Sequence, residues 1–292
     1  MATQRNHGLL IVLSGPSGVG KSTISRQLAD RSDVAYTVSA TTRPKKEKDD
    51  EGKVYEHIGQ DEFFRRLKAS SQLPRTSQPS VGVFEEAFKK LRAGGDEIVA
   101  VHLSGKVSGT YNSALMAAQA VGQEAIEVVD SLSTSMALGF MALEGAKLAR
   151  AGTDRGAISA RLRALVPKAR VICVVDTLTY LERGGRIGKA RALLGSLLNV
   201  KPILQLKDGE VVPLGRARGR PQALSRLVEL LGRDGTVGQL AIMHGAAQAD
   251  AAQLRDRVAS SYPGLDILLT EIGAVLGTHT GPGVIGFTYL VT

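Results

Sequence analysis

Glu97-Ile98-Val99-Ala100-Val101-His102-Leu103-Ser104-Gly105-Lys106-Val107-Ser108-Gly109-Thr110-Tyr111 changes character twice along one short stretch. The apolar run Glu97–Leu103 reads as a strand, because its length is right and turn residues bound it. Ser104 to Thr110 is rich in Ser and Gly and reads as a turn, and Tyr111 opens a helix that runs to about Val121. The alternation continues downstream. Ala125–Val129 is a strand, Leu138–Ala151 and Ala157–Leu165 are helices, and Val171–Val175 is a strand. Pro202–Lys207 and Glu210–Pro213 flank Asp208-Gly209, a tight hairpin turn. A helix over Arg220–Leu231 and a strand over Gln239–His244 follow. Upstream, helices Asp61–Ala69 and Val83–Ala93 enclose a polar loop, Ser70–Ser80. Over 83–151, strands alternating with helices of this length predict an α/β protein with parallel pairing and right-handed crossovers. The likeliest break between lobes is Ala151-Gly152-Thr153.

A chain of 292 residues has room for two domains, and 43% hydrophobic with 22% charged residues is ordinary globular usage. The formal net charge of +9 favours phosphates, carboxylates or an acidic protein face. Aromatics are 4% with no Trp, which leaves little for stacking bases, so nucleic acid is not an expected partner. Cys173 is the only cysteine, which excludes an internal disulfide and a Cys-based metal site and points to a core position. The early apolar run Leu9–Leu13 is too short for a secretory leader, and no run is long enough to span a bilayer. A cytoplasmic protein without stable membrane insertion is expected.

Gly15-Pro16-Ser17-Gly18-Val19-Gly20-Lys21-Ser22 fits the phosphate-loop pattern G-x-x-x-x-G-K-[ST]. It lies between the strand Leu9–Leu13 and a helix from about Lys21 to Asp30, with a second strand at Val34–Val38. In that context the backbone around Gly15, Ser17, Gly18 and Gly20 cradles phosphate, Lys21 reaches the outer phosphates and the Ser22 hydroxyl holds Mg²⁺. The competing reading is a glycine-rich turn that binds no nucleotide. Leu13 to Thr23 and Val38-Ser39-Ala40-Thr41-Thr42-Arg43-Pro44 together resemble guanylate kinase. The resemblance implies ATP and Mg²⁺ at the loop, a GMP phosphate on Arg43, and GMP contacts at Ser39 and Tyr55. It fades after about residues 55–63, and neither an acidic Walker-B-like strand nor an Arg-bearing lid follows. Phosphoryl transfer rests on positioning and charge stabilisation, so GMP kinase activity is not expected from this segment. A nucleotide-binding phosphotransferase of guanylate-kinase type is the alternative function.

From Phe63 onward the chain resembles the DegV family. The residues that carry the resemblance are Arg75-Thr76-Ser77-Gln78-Pro79-Ser80, Leu103 to Tyr111, Val129-Asp130-Ser131, Tyr180-Leu181-Glu182-Arg183-Gly184-Gly185-Arg186-Ile187, Asn199 to Leu204, and Ile272 to Gly283. The resemblance implies two α/β lobes with a fatty acid between them. Its carboxylate would meet Thr76, Ser108 and His279, with Ser77, Gly109 and Thr278 close by. It also implies no cofactor for lipid binding and a separate fatty-acid kinase or acyl-using enzyme as partner. The chemistry agrees: a buried carboxylate needs hydroxyl and N–H donors, and Ser108-Gly109-Thr110 opens a helix whose first N–H groups face outward.

Taken singly, these residues have other readings. Ser108 and Thr110 are also good helix caps, Asp130-Ser131 suits a cap, and His279 between Gly277 and Gly281 suits a turn. Arg183 and Arg186 suit a charged loop, and His102 and His244 lie in strands. Ser108, His279 and Asp130 or Asp176 supply the types of a catalytic triad. No G-x-S-x-G elbow accompanies them, so a hydrolase is not expected. The expected organisation is a truncated kinase-like segment, 1–62, followed by a lipid-binding domain, 63–292, with lobes at about 63–151 and 152–292. DegV-like proteins open with a strand and Asp-Ser-Thr-x-Asp; here the kinase-like strand–helix–strand stands in that place. Leu9–Leu13 and Val34–Val38 are therefore expected to begin a parallel sheet in the N-terminal lobe.

Overall fold

The structure is a computed structural model that describes residues 39–41, 55–195 and 200–292. The chain divides into two units, Met1–Ile58 and Gly59–Thr292. In the first, β1 (Ser39–Thr41) pairs in parallel with β2 (Tyr55–His57). The expected strands Leu9–Leu13 and Val34–Val38 lie outside the described residues.

The second unit opens with α1 (Gln60–Ala69), the polar loop, and α2 (Val81–Ala93). A parallel pair follows, β3 (Ile98–His102) and β4 (Ile126–Asp130), with α3 (Thr110–Val121) between them. Helices α2 and α3 cover one face of that pair. Ala114, Ala117 and Ala118 of α3 are small enough to let Phe88 of α2 and Ile98, Ile126 and Val128 of the strands close around them. The other face is covered by α4 (Ser135–Arg150) and α5 (Arg155–Leu165). In α4, Ala137, Phe140, Met141 and Gly145 recur at helical spacing and are buried. Asp154 accepts a hydrogen bond from the Ala157 backbone and starts α5 just past the expected lobe break. Packing runs across that break, because Ile158 and Leu162 of α5 share a core with Val129 of β4 and Phe140 and Met141 of α4.

The remaining strands form one six-stranded sheet. They are β5 (Ala169–Val174), β6 (Val200–Lys207), β7 (Glu210–Arg218), β8 (Val237–His244), β9 (Ile267–Glu271) and β10 (Ile285–Val291), in the order β7-β6-β5-β10-β8-β9. The parallel pairing expected for the strands of 83–151 holds in β3–β4; in this second sheet only β8–β9 is parallel, and the other four pairings are antiparallel. The cause is local. Asp208 and Gly209 both take positive φ, 51° and 81°, which reverses the chain from β6 into β7. The final strand β10 then inserts between β5 and β8 against both.

Helices α7 (Gly219–Leu230) and α8 (Gln248–Ser261) pack on one face of this sheet through Leu224, Leu227, Leu254 and Val258. On the opposite face Ala241 and Leu290 join the core of α4 and α5. With layers on both sides, all seven residues of β10 are buried. Two short helices complete the unit, α6 (Thr179–Arg183) and α9 (Ala274–Thr280). Cys173 in β5 is part-buried rather than fully enclosed, and its apolar surroundings push the thiol up to about 12. Among the described residues no helix is long and apolar enough to cross a membrane.

Candidate functional site

Two loops and the end of a short helix converge beyond the ends of β3 and β4. The first follows β3. Ser104 is fully buried at its start and ties three segments together. Its N–H donates to the Ser133 carbonyl, its own carbonyl accepts from Val107 and Ser108 N–H, and its hydroxyl donates to Gly209 O at the hairpin tip, 2.8 Å. Asp130 fastens the same loop to the end of β4, accepting from Gly105 N (3.1 Å) and Leu132 N (2.9 Å). Leu132 and Ser135 hold positive φ, 47° and 55°, a conformation that non-glycine residues adopt only when their surroundings enforce it.

The loop so held presents Ser108, Gly109 and Thr110. The Ser108 and Thr110 hydroxyls are 2.9 Å apart, and Thr110 N–H donates to Ser108 Oγ at 3.3 Å. Gly109 is the residue before α3, and its open face is occupied by the Gln78 side chain, whose Nε2 would lie 2.7 Å from an added Cβ. Gln78 belongs to the second loop, which also carries part-buried Thr76 and exposed Ser77.

His279 lies in the last turn of that helix, α9. Its Nε2 is 2.9 Å from Thr76 Oγ1, a contact between residues 203 positions apart. The opposite ring nitrogen, Nδ1, lies against Gly184, is buried, and has no hydrogen-bond partner among the described residues. Thr278 is buried and donates its hydroxyl to the Ala274 carbonyl at 2.8 Å, so that proton serves the helix.

Arg186, which the sequence suits to a charged loop, bridges two of these segments. Its Nε donates to Val107 O at 3.0 Å and its Nη1 to Gly184 O at 2.9 Å, which joins the Ser108 loop to the glycine pair under His279. Arg183 instead donates to Ser71 O at 2.6 Å, tying down the start of the polar loop. Burial, reinforced by the Arg186 charge, holds His279 below the usual histidine range. His102 at the end of β3 is also lowered, by burial, with Asp130 opposing, and its ring meets Phe84 edge-on at 5.2 Å.

The His279 imidazole, the Thr76 and Ser108 hydroxyls and the nearby Arg186 guanidinium are groups of the kind that hold a carboxylate. No group of three or more His, Cys, Asp or Glu able to hold a metal occurs among the described residues. An apolar cavity of about 340 Å³ lies between β3, α4 and α5, with Val99, Val101, Ala142, Ala146, Ile158 and Leu162 in its walls. Glu97 and Arg155, paired at 3.4 Å, also line it. Thr76, Ser108 and His279 do not, but β3 connects the two regions: Val99 and Val101 line the cavity and the Ser108 loop leaves the same strand. The nucleotide-site residues Gly15, Ser17, Gly18, Gly20, Lys21, Ser22 and Arg43 lie outside the described residues.

The Gly59–Thr292 unit is α/β with two sheets, and segments far apart in sequence meet at the Thr76–His279 contact. The chain belongs to the DegV family: residues 48–292 match the family described as "Uncharacterised protein, DegV family". A DegV domain-containing protein of Streptomyces coelicolor is 43% identical over 217 residues, 72% of this chain and 76% of that protein. Protein DegV of Bacillus subtilis is 35% identical over 231 residues, covering 78% and 82%. Among solved structures, a fatty-acid-binding DegV family protein from Thermus thermophilus has a TM-score of 0.76 at 32% identity, over 87% of this chain and 98% of that one. The fatty-acid-binding DegV of Bacillus subtilis has a TM-score of 0.71 at 30% identity, over 88% and 100%.

Proposed function

We propose that this chain binds a long-chain fatty acid and presents its carboxylate to a separate enzyme. The observation that carries the reading is the Thr76–His279 contact, with the Ser108 loop tied through Arg186 to the glycine pair beneath His279. Thr76, Ser108 and His279 hold the carboxylate; Ser77, Gly109 and Thr110 border it; Thr278 supports it from within α9. Fatty-acid binding by the Thermus thermophilus and Bacillus subtilis proteins supports the same ligand class here. The tail follows β3 toward the apolar cavity. At ~0.8 kcal/mol per buried methylene, about a dozen methylenes contribute on the order of 10 kcal/mol before ordering costs, enough to retain a lipid without a cofactor.

In this reading the protein is a carrier rather than a catalyst. The exposed Ser77–Gln78 edge is where a separate fatty-acid kinase would reach the carboxylate. The binding domain takes in 63–292, with lobes at about 63–151 and 152–292, after the 1–62 segment. Titration with palmitate tests the reading: saturable binding weakened in Ser108→Ala and His279→Ala supports it, and unchanged binding in both removes the assigned site. The Gly15–Ser22 loop motivates a second reading, ATP and Mg²⁺ at Lys21 and Ser22. ATP binding by the full chain that disappears in Lys21→Ala would establish it, and no ATP binding would dismiss it.

A further inference from the structure

The ion cluster at the far end of α9 belongs to no part of the cradle, yet it grips the turn that follows His279. After Thr280 the chain passes through Gly281-Pro282-Gly283 before entering β10. Gly281, at φ 75°, packs directly on the Tyr180 ring. Gly283, at φ 82°, faces the Asp176 carboxylate so closely that no side chain fits between them. Its N–H donates to Gly245 O at 2.7 Å and its carbonyl accepts from Arg220 Nη1 at 2.6 Å. Arg220 is mostly covered and also donates Nε to Asp250 at 2.7 Å, while Nη1 stands 3.5 Å from Asp176. Lys201 donates to the same Asp176 oxygen at 2.8 Å. One guanidinium thus joins the start of α7, the first turn of α8, the segment after β5 and the turn leaving α9. A planar fork with fixed donors suits that task, and a point charge does not.

We propose that Arg220, oriented by Asp176 and Asp250, is a positioning residue that sets the His279 imidazole in the carboxylate cradle. The inference rests on the fatty-acid reading of that cradle. Arg220 bonds the backbone four residues beyond His279, so its loss frees the end of the helix without removing any group that would touch a carboxylate. Headgroup sites tolerate little displacement, because their donors must be held to within about half an ångström. The effect of losing Arg220 should therefore depend on the ligand headgroup.

The test compares palmitic acid with hexadecanol on the full chain, in wild type, Arg220→Met and Arg220→Lys. The ring resonances of His279, assigned by their loss in His279→Ala, are followed at fixed pH. In Arg220→Met, acid affinity should fall by about tenfold, alcohol affinity should change by less than about threefold, and the His279 resonances should move. Arg220→Lys keeps a donor for Gly283 O and should recover part of the acid affinity; it decides the matter alone if Arg220→Met does not fold. Equal losses for acid and alcohol, or unmoved His279 resonances, would overturn the positioning role. A wild type that binds neither ligand would defeat the carrier reading instead, and the resonances would then judge the clamp by themselves.

Discussion

Thr76 and His279 are useful only together, and nothing in their spacing joins them. A loop residue and a helix residue 203 positions apart meet because α9 and the polar loop are each pinned from behind, the loop by Arg183 on Ser71 O and the helix end by Gly281 on Tyr180. Replacing Thr76 with Val keeps the shape and removes the hydroxyl. A lost hydrogen bond to a charged group is worth ~1.5–3 kcal/mol, so fatty-acid affinity should drop by about tenfold to a hundredfold, read by calorimetry. Acidity offers a second check at this scale. His102 and His279 are both held below the ordinary histidine value, by burial first and, for His279, by Arg186 as well. The unfolded chain therefore takes up protons before the folded one as pH falls through about 6.5. Their contribution is fully present above that pH and is lost below it, down toward the lowered folded values. Melting temperatures of wild type should fall between about pH 7.5 and pH 5 by more than those of a His102→Gln/His279→Gln variant. Equal falls would mean that the two rings are not responsible.

Elements differ in how openly their sequences declare them. Strand β3, helix α3 and the β6–β7 hairpin were legible, because apolar runs, Gly/Ser turns and Asp208-Gly209 each have one dominant conformation. Helix α8 is absent from the sequence expectations, although Ala251, Leu254 and Val258 share one helical face. Strand β10 did not: it is buried on both sides, so Ile285 to Val291 lacks the alternation that marks a half-exposed strand. The pairing direction of the larger sheet was likewise hidden, since an inserted final strand leaves no trace in local periodicity. In the site, the resemblance to DegV proteins named Thr76, Ser108 and His279, whereas the bridging bonds of Arg186 and the hub at Ser104 needed the fold. The hub gives an element-scale prediction. Gly209→Val forces a branched residue to φ 81° and into the Ser104 hydroxyl, and should cost about 1–3 kcal/mol of stability. Ser104→Ala leaves Gly209 O without its donor and should cost ~1–3 kcal/mol. Chemical denaturation checks both. A loss well under 0.5 kcal/mol in either would show that the hairpin tip does not secure the Ser108 loop.

For the whole molecule, the layers explain why binding and folding are linked. The β3–β4 pair and the six-stranded sheet share α4 and α5, whose Phe140, Met141, Ile158 and Leu162 touch both sides. The apolar cavity opens within that shared layer, beside the strand that leads into the cradle. A lipid tail lodged there completes the packing of the layer, so bound fatty acid should raise the melting temperature by mass action. The most direct measurement is mass spectrometry of an organic extract from the purified, folded, full-length protein. The account predicts near-stoichiometric long-chain fatty acid from wild type and little from a Ser108→Ala/His279→Ala variant that remains folded. Folded wild-type protein that yields no fatty acid, and takes none up when it is supplied, would contradict it.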